Sequence, residues 1–196
     1  PEYHTATLSN NNVLVDLNFG NRPDATALVL EVALHGVGRS GDNVVPYPQP
    51  CQPGSFSETE CKSNQEPLNE NRDLKVELRH VGTNAISSYS GMLRYDTSKK
   101  VFTGMVGLGN AFDTAIYDIK VRTPMYLTRR TEKTHRILAG GTYALPLMDL
   151  VAADVDNDNR LSILDYNQII SCYEPPTQSD TCSEEEIAAV DTDDNG

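Results

Sequence analysis

Apolar and polar residues alternate at period two over several short stretches of residues 1–148. Residues 13–17, 74–79, 92–95, 101–106 and 116–121 follow this pattern, while 27–34 is a nearly continuous apolar run interrupted by Glu31. In a strand, successive side chains point to opposite faces, so strict alternation places one face in a core and the other in water. The runs therefore predict a mainly β fold, an antiparallel β-sandwich, with at least six strands. Asp-Thr-Ser-Lys-Lys, Gly-Asn and Gly-Gly segments between them supply turns.

Two regions break the alternation. Residues 36–73 hold Pro46, Pro48, Pro50, Pro53 and Pro67 and few apolar positions, which marks a long excursion that is either a variable binding loop or disordered. Past a boundary near 147–150, strand periodicity gives way to a small helical segment. Leu161, Leu164, Ile169 and Ile170 fit a short helix beginning near Asp165. A second helix is expected from Ser183, because Ser183-Glu184-Glu185-Glu186 reads as a capping box. The chain thus divides into a β-sandwich over 1–148, carrying the 36–73 insertion, and a smaller unit over 149–196.

Charge sharpens that division. The formal net charge is −12; residues 149–196 contain 13 acids against Arg160 alone, whereas 1–148 hold 15 acids and 15 bases. With no basic stripe to displace counterions, nucleic acid is excluded as a partner. No apolar run is long enough to span a bilayer, and no leader-like segment is recognisable, so any secretory leader is expected to have been removed. The cysteines form two close pairs, Cys51/Cys61 and Cys172/Cys182. Three pairings are open; proximity favours the two local ones, each closing a loop of about 11 residues. Structural disulfides imply an oxidising compartment, and we expect a secreted protein, prokaryotic in origin.

The acids of the last quarter are spaced rather than blocked. From Asp154 the chain follows a 12-residue EF-hand-type calcium loop: Asp154, Asp156 and Asp158 at positions 1, 3 and 5, the Arg160 carbonyl at 7, Ser162 through water at 9, and Asp165 at 12. Position 6 requires a positive φ and is Asn159, the most tolerant residue after glycine. Leu161 at position 8 is the apolar anchor. A second start, Asp191, Asp193 and Asn195 followed by Gly196, matches positions 1 to 6 only.

The segment 154–166, with Asp at position 12, then Cys172, Cys182 and Asp-x-Asp-x-Asn-Gly, resembles the dockerin type I repeats of secreted bacterial proteins, and in particular the cysteine-bearing dockerin-like modules of bacterial surface proteins. Here the loops start 37 residues apart rather than about twenty, and positions 10 and 11, often a polar recognition pair in dockerins, are Ile163 and Leu164. The resemblance implies Ca2+ at the positions just named and a cohesin-like protein partner. More weakly, residues 115–127 are similar to the closing strands of carboxypeptidase-regulatory-like and transthyretin-like sandwiches.

No catalytic constellation emerges. His4, His35, His80 and His135 are isolated; Gly38-Arg39-Ser40-Gly41 fails the G-x-S-x-G pattern; the glycines of 104–109 lie between strands with no helix to follow. The chain is therefore expected to be a non-enzymatic extracellular calcium-binding module that mediates protein–protein attachment at a bacterial cell surface. The alternatives are a protomer of a secreted filament with calcium-rigidified joints, binding copies of itself by strand addition through residues 1–12, and a carbohydrate-binding accessory domain without the usual Trp platform.

Overall fold

A computed structural model describes residues 26–38, 64, 66–172, 182–192 and 194. The strand expected at 13–17, the Cys51–Cys61 pair, most of the 36–73 excursion, Asp193 and Asn195 lie outside the described residues.

The protein is mainly β. Five long strands carry the fold: β1 (Thr26–Leu34), β2 (Asn71–His80), β3 (Ile86–Asp96), β4 (Val101–Gly109) and β5 (Ala115–Arg122). Short strands follow: β6 (Met125–Tyr126), β7 (Arg129–Arg130), β8 (His135–Ile137), β9 (Thr142–Ala144), β10 (Met148–Leu150) and β11 (Ala152–Asp154), then α1 (Ile163–Cys172) and α2 (Glu184–Val190). β2 to β5 sit where the alternation puts them and β1 on the apolar run, each extended at its ends, β3 by six residues before Met92.

The two facing sheets expected of a sandwich are not separated here. Hydrogen bonds run through one curled sheet in the order β10-β1-β4-β3-β2-β5-β7, with β8 also pairing β5 and β9 also pairing β1; β11 and β6 form a separate pair. The sheet is not purely antiparallel either, because β9 and β10 both join β1 in parallel. Three-residue strands carry too little periodicity to declare themselves in sequence.

Curling brings β7 and β10, at opposite ends of the sheet, into contact and wraps it around a single apolar cluster. The inward positions recur every second residue: Leu28, Leu30, Val32 and Leu34 from β1, Leu74, Val76 and Leu78 from β2, Tyr117, Ile119 and Val121 from β5. Each buried Leu, Ile or Val stabilises by about 1.5–3 kcal/mol relative to an exposed position, so the alternation sets the strand faces.

The outer face of β2–β5 is charged. Lys75 lies opposite Arg122, Glu77 opposite Lys120, and Arg79 opposite Asp118. Asp118 is the exception to its own exposed surroundings, being only 3 % exposed. Arg79 donates to its Oδ2 through Nη2 at 2.9 Å, and Arg130 of β7 donates to Oδ1, so one carboxylate ties β2, β5 and β7 together. Burial pushes the Asp118 carboxyl up, but the hydrogen bonds and charges of Arg130 and Arg79 outweigh it and hold it below the usual range. A carboxyl depressed in the folded state contributes stability above its unfolded pKa of about 4 and loses it as pH falls through the folded value. Asp118→Asn is expected to cost about 1–2 kcal/mol at neutral pH, discounted for the exposure of both arginines, and the gap from wild type should close in acid. Urea unfolding at neutral pH and in acid checks this; a gap independent of pH would contradict it.

Candidate metal centre

The centre is built where β11 hands the chain to α1. Between Ala152 and Asp154 the register of β11 against β6 shifts, and Ala153 takes φ 81°. A bulge of this kind re-aims the next side chain, and Asp154 is fully buried. Asp156 and Asp158 follow at the spacing of alternate loop positions, and both are exposed. Carboxylate oxygens of Asp154, Asp156 and Asp158 all lie within 4.8 Å of one another. A trio of carboxylates this close could hold a metal ion.

Asn159 has φ 68°, the left-handed conformation expected at position 6. Its amide N–H points back to Asp154, 3.1 Å from Oδ1 and 3.2 Å from Oδ2. Asn157 is left-handed as well, at φ 60°. Both asparagine side chains have a second role that spacing could not reveal. Oδ1 of Asn157 accepts the Met125 N–H at 2.9 Å, and Oδ1 of Asn159 accepts the Thr128 N–H at 2.7 Å. The loop is thereby fastened to the strap of residues 125–128, which contains β6, through the main-chain donors of Met125 and Thr128.

Asp165 stands outside the trio. It is 2 % exposed and accepts three main-chain N–H groups of its own loop, from Val155 at 2.9 Å, Asp156 at 3.4 Å and Ser162 at 2.8 Å. Burial pushes its carboxyl up, yet these donors, with the Ser162 hydroxyl, outweigh burial and hold it below the usual range. Ser162 caps α1, its Oγ accepting the Leu164 N–H at 3.1 Å, while Asp165 at the third helical position accepts the Ser162 N–H. Arg160 is exposed. Asp154 is less well served. Burial pushes its carboxyl above the usual range; the Asn159 N–H and Arg122 oppose this, while the charges of Asp165 and Asp158 add to it.

Of the second half-loop, Asp191, Thr192 and Asp194 are among the described residues. Asp191 ends α2, its N–H reaching the Ile187 carbonyl at 3.1 Å. Asp194, which sequence reasoning passed over, is 2 % exposed with φ 56°. Its carboxylate accepts the Asn69 N–H at 2.8 Å and Nδ2 at 2.6 Å, and pairs with Arg72 at 3.0 Å. Its carbonyl accepts Leu68 N–H and Asn64 Nδ2. The two helices are further joined at Cys172 and Cys182, whose sulfurs are 2.05 Å apart, and the capping box of Ser183 and Glu186 opens α2 as its sequence predicts.

No protein-family model matches the chain, and no curated protein matches it at a significant level.

Two substitutions probe this attachment. Asn159→Gly relieves the left-handed strain but leaves the Thr128 N–H without its acceptor; it is expected to destabilise by about 1 kcal/mol rather than stabilise, read from the urea midpoint. Asp194→Ala strands the Arg72 guanidinium, whose ion pair with Asp194 runs through Nη2 and whose buried Nε has no hydrogen-bond partner among the described residues, and is expected to cost about 3 kcal/mol by the same measurement. A loss below about 0.5 kcal/mol would show that the pair does not hold the C-terminal segment in place.

Proposed function

We propose that the chain is a non-enzymatic, secreted module whose 154–165 loop takes Ca2+ and whose helical segment attaches it to another protein domain at a bacterial cell surface. The observation that carries this reading is the convergence of Asp154, Asp156 and Asp158 within 4.8 Å, with Asn159 left-handed at position 6 of the same loop. Calcium would be held by those carboxylates with the Arg160 carbonyl, while Asp165, whose oxygens accept the loop's own N–H groups, would hold the loop's shape rather than the ion. A dication would also offset the burial, and after it the neighbouring carboxylate charges, that keep the Asp154 carboxyl high.

The attachment surface in this reading lies beside the loop. Leu161 is 52 %, Ile163 66 %, Leu164 63 % and Tyr166 57 % exposed, an apolar strip on one short stretch. Such a strip favours a protein partner over a soluble small molecule. In this reading the helical unit is dockerin-like, its partner cohesin-like, and the curled sheet is the β body that it decorates. The Cys172–Cys182 pair supports an oxidising, extracellular setting.

Calorimetric titration of chelator-stripped protein with CaCl2 tests the reading, together with thermal unfolding. One saturable site is expected in the wild type and none in Asp154→Ala, while Asp191→Ala binds as the wild type does. Calcium at tenfold its Kd should stabilise the wild type by about 1.4 kcal/mol. Because Asn157 and Asn159 fasten the loop to the β6 strap, that gain should appear in the unfolding of the whole protein. Absence of binding at millimolar calcium would refute the reading.

A further inference from the structure

Arg122 is the last residue of β5, and its side chain reaches off the sheet to the loop. Its Nη2 stands 3.5 Å from Oδ2 of Asp154; the same nitrogen donates to the Asn157 carbonyl and, at 3.3 Å, to Asn157 Oδ1. Across the β2–β5 ladder its neighbour is Lys75, a like charge, so the sheet itself offers Arg122 no counter-ion at that register. The Asp154 oxygen that it approaches belongs to a carboxylate fully buried within the acidic trio. A guanidinium does not deprotonate in proteins, so this positive charge is present whether or not a metal is.

We propose, resting on the calcium reading above, that Arg122 is the loop's resident counter-charge, which keeps the loop folded without metal and weakens the cation's hold when metal arrives. Without a cation, the guanidinium offsets the repulsion of three clustered carboxylates and anchors the Asn157 turn. With a dication among the same oxygens, the guanidinium becomes a like charge only a few ångströms away. Even with the full screening of water, such a repulsion is worth on the order of tenfold in affinity. Arg122 thus moves the site away from tight buffering toward the weak range of extracellular calcium modules, about 10⁻⁴–10⁻³ M. It also makes the empty loop a preformed one, so that calcium binding rigidifies an existing shape.

The test is calcium titration of the full-length stripped chain as wild type, Arg122→Gln and Arg122→Lys, with melting temperatures recorded with and without metal. Removing the charge in Arg122→Gln is expected to tighten calcium binding about tenfold, lower the metal-free melting temperature and leave the calcium-loaded one nearly unchanged. Arg122→Lys keeps the charge and should stay within about twofold of wild-type affinity. Arg122→Met, which keeps the aliphatic stem, repeats the neutral case in a second side chain. If Arg122 only positions the loop, all three variants bind more weakly; that result, or unchanged affinity in both neutral variants, overturns the proposal while leaving the calcium reading intact. A wild type that binds no calcium removes both.

Discussion

A carboxylate taken out of water destabilises a fold by several kcal/mol unless donors or a cation meet it. Among the described residues the buried acids are Asp118, Asp154, Asp165 and Asp194. Each is met differently. Asp118 lies between two guanidinium groups, Asp165 collects three N–H groups of its own loop, and Asp194 takes Asn69 and Arg72. Asp154 has the Asn159 amide and, at longer range, Arg122. Three of the four belong to the acidic last quarter, and two of those draw partners from the β body. The requirement to satisfy them seats the C-terminal segment against the sheet.

The seating is reinforced by groups that carry no charge. Tyr126, only 1 % exposed, directs its hydroxyl to the carbonyls of His35 and Thr192, each at 3.3 Å, and so joins the end of β1 to the residues after α2. Asn157 and Asn159 do the same for the loop and the strap around β6. Val190 is buried, and Ala189 packs against the apolar cluster. The division into a β body and an acidic tail is therefore a division of charge more than of contacts. Metal binding at the loop would be felt through the β6 strap and β5, because those strands supply the groups that grip it.

The acid least provided for is also the one at the centre of the trio. Asp165 is held low by main-chain donors that stay in place in the folded loop, whereas Asp154 is held high by burial and by neighbouring carboxylates. A loop with one carboxylate fully engaged and three others convergent keeps its shape while retaining capacity for a cation. Beside it, exposed Leu161, Ile163, Leu164 and Tyr166 form an apolar strip.

Local patterns were legible in the sequence because their causes are local. Period-two alternation located four of the long strands and an apolar run the fifth, β1, Ser183 to Glu186 announced the cap of α2, and Asp-x-Asp-x-Asp with Asn159 marked a loop with a left-handed sixth position. Each depends on a few consecutive residues and on backbone sterics or hydrogen-bond reach within one turn. The continuous curled sheet, the parallel addition of β9 and β10 to β1, and the burial of Asp194 gave no such signal. Nor did the grip of Arg122 on the loop, 32 positions away at Asp154. Three-residue strands have no period to read, and a lone Asp or Arg looks like any solvated charge until folding brings a partner to it. The sequence by itself determined the strand faces and the spacing of the acids; only the tertiary structure decided which acids would be buried and what would meet them, because that choice is made by contacts between distant residues.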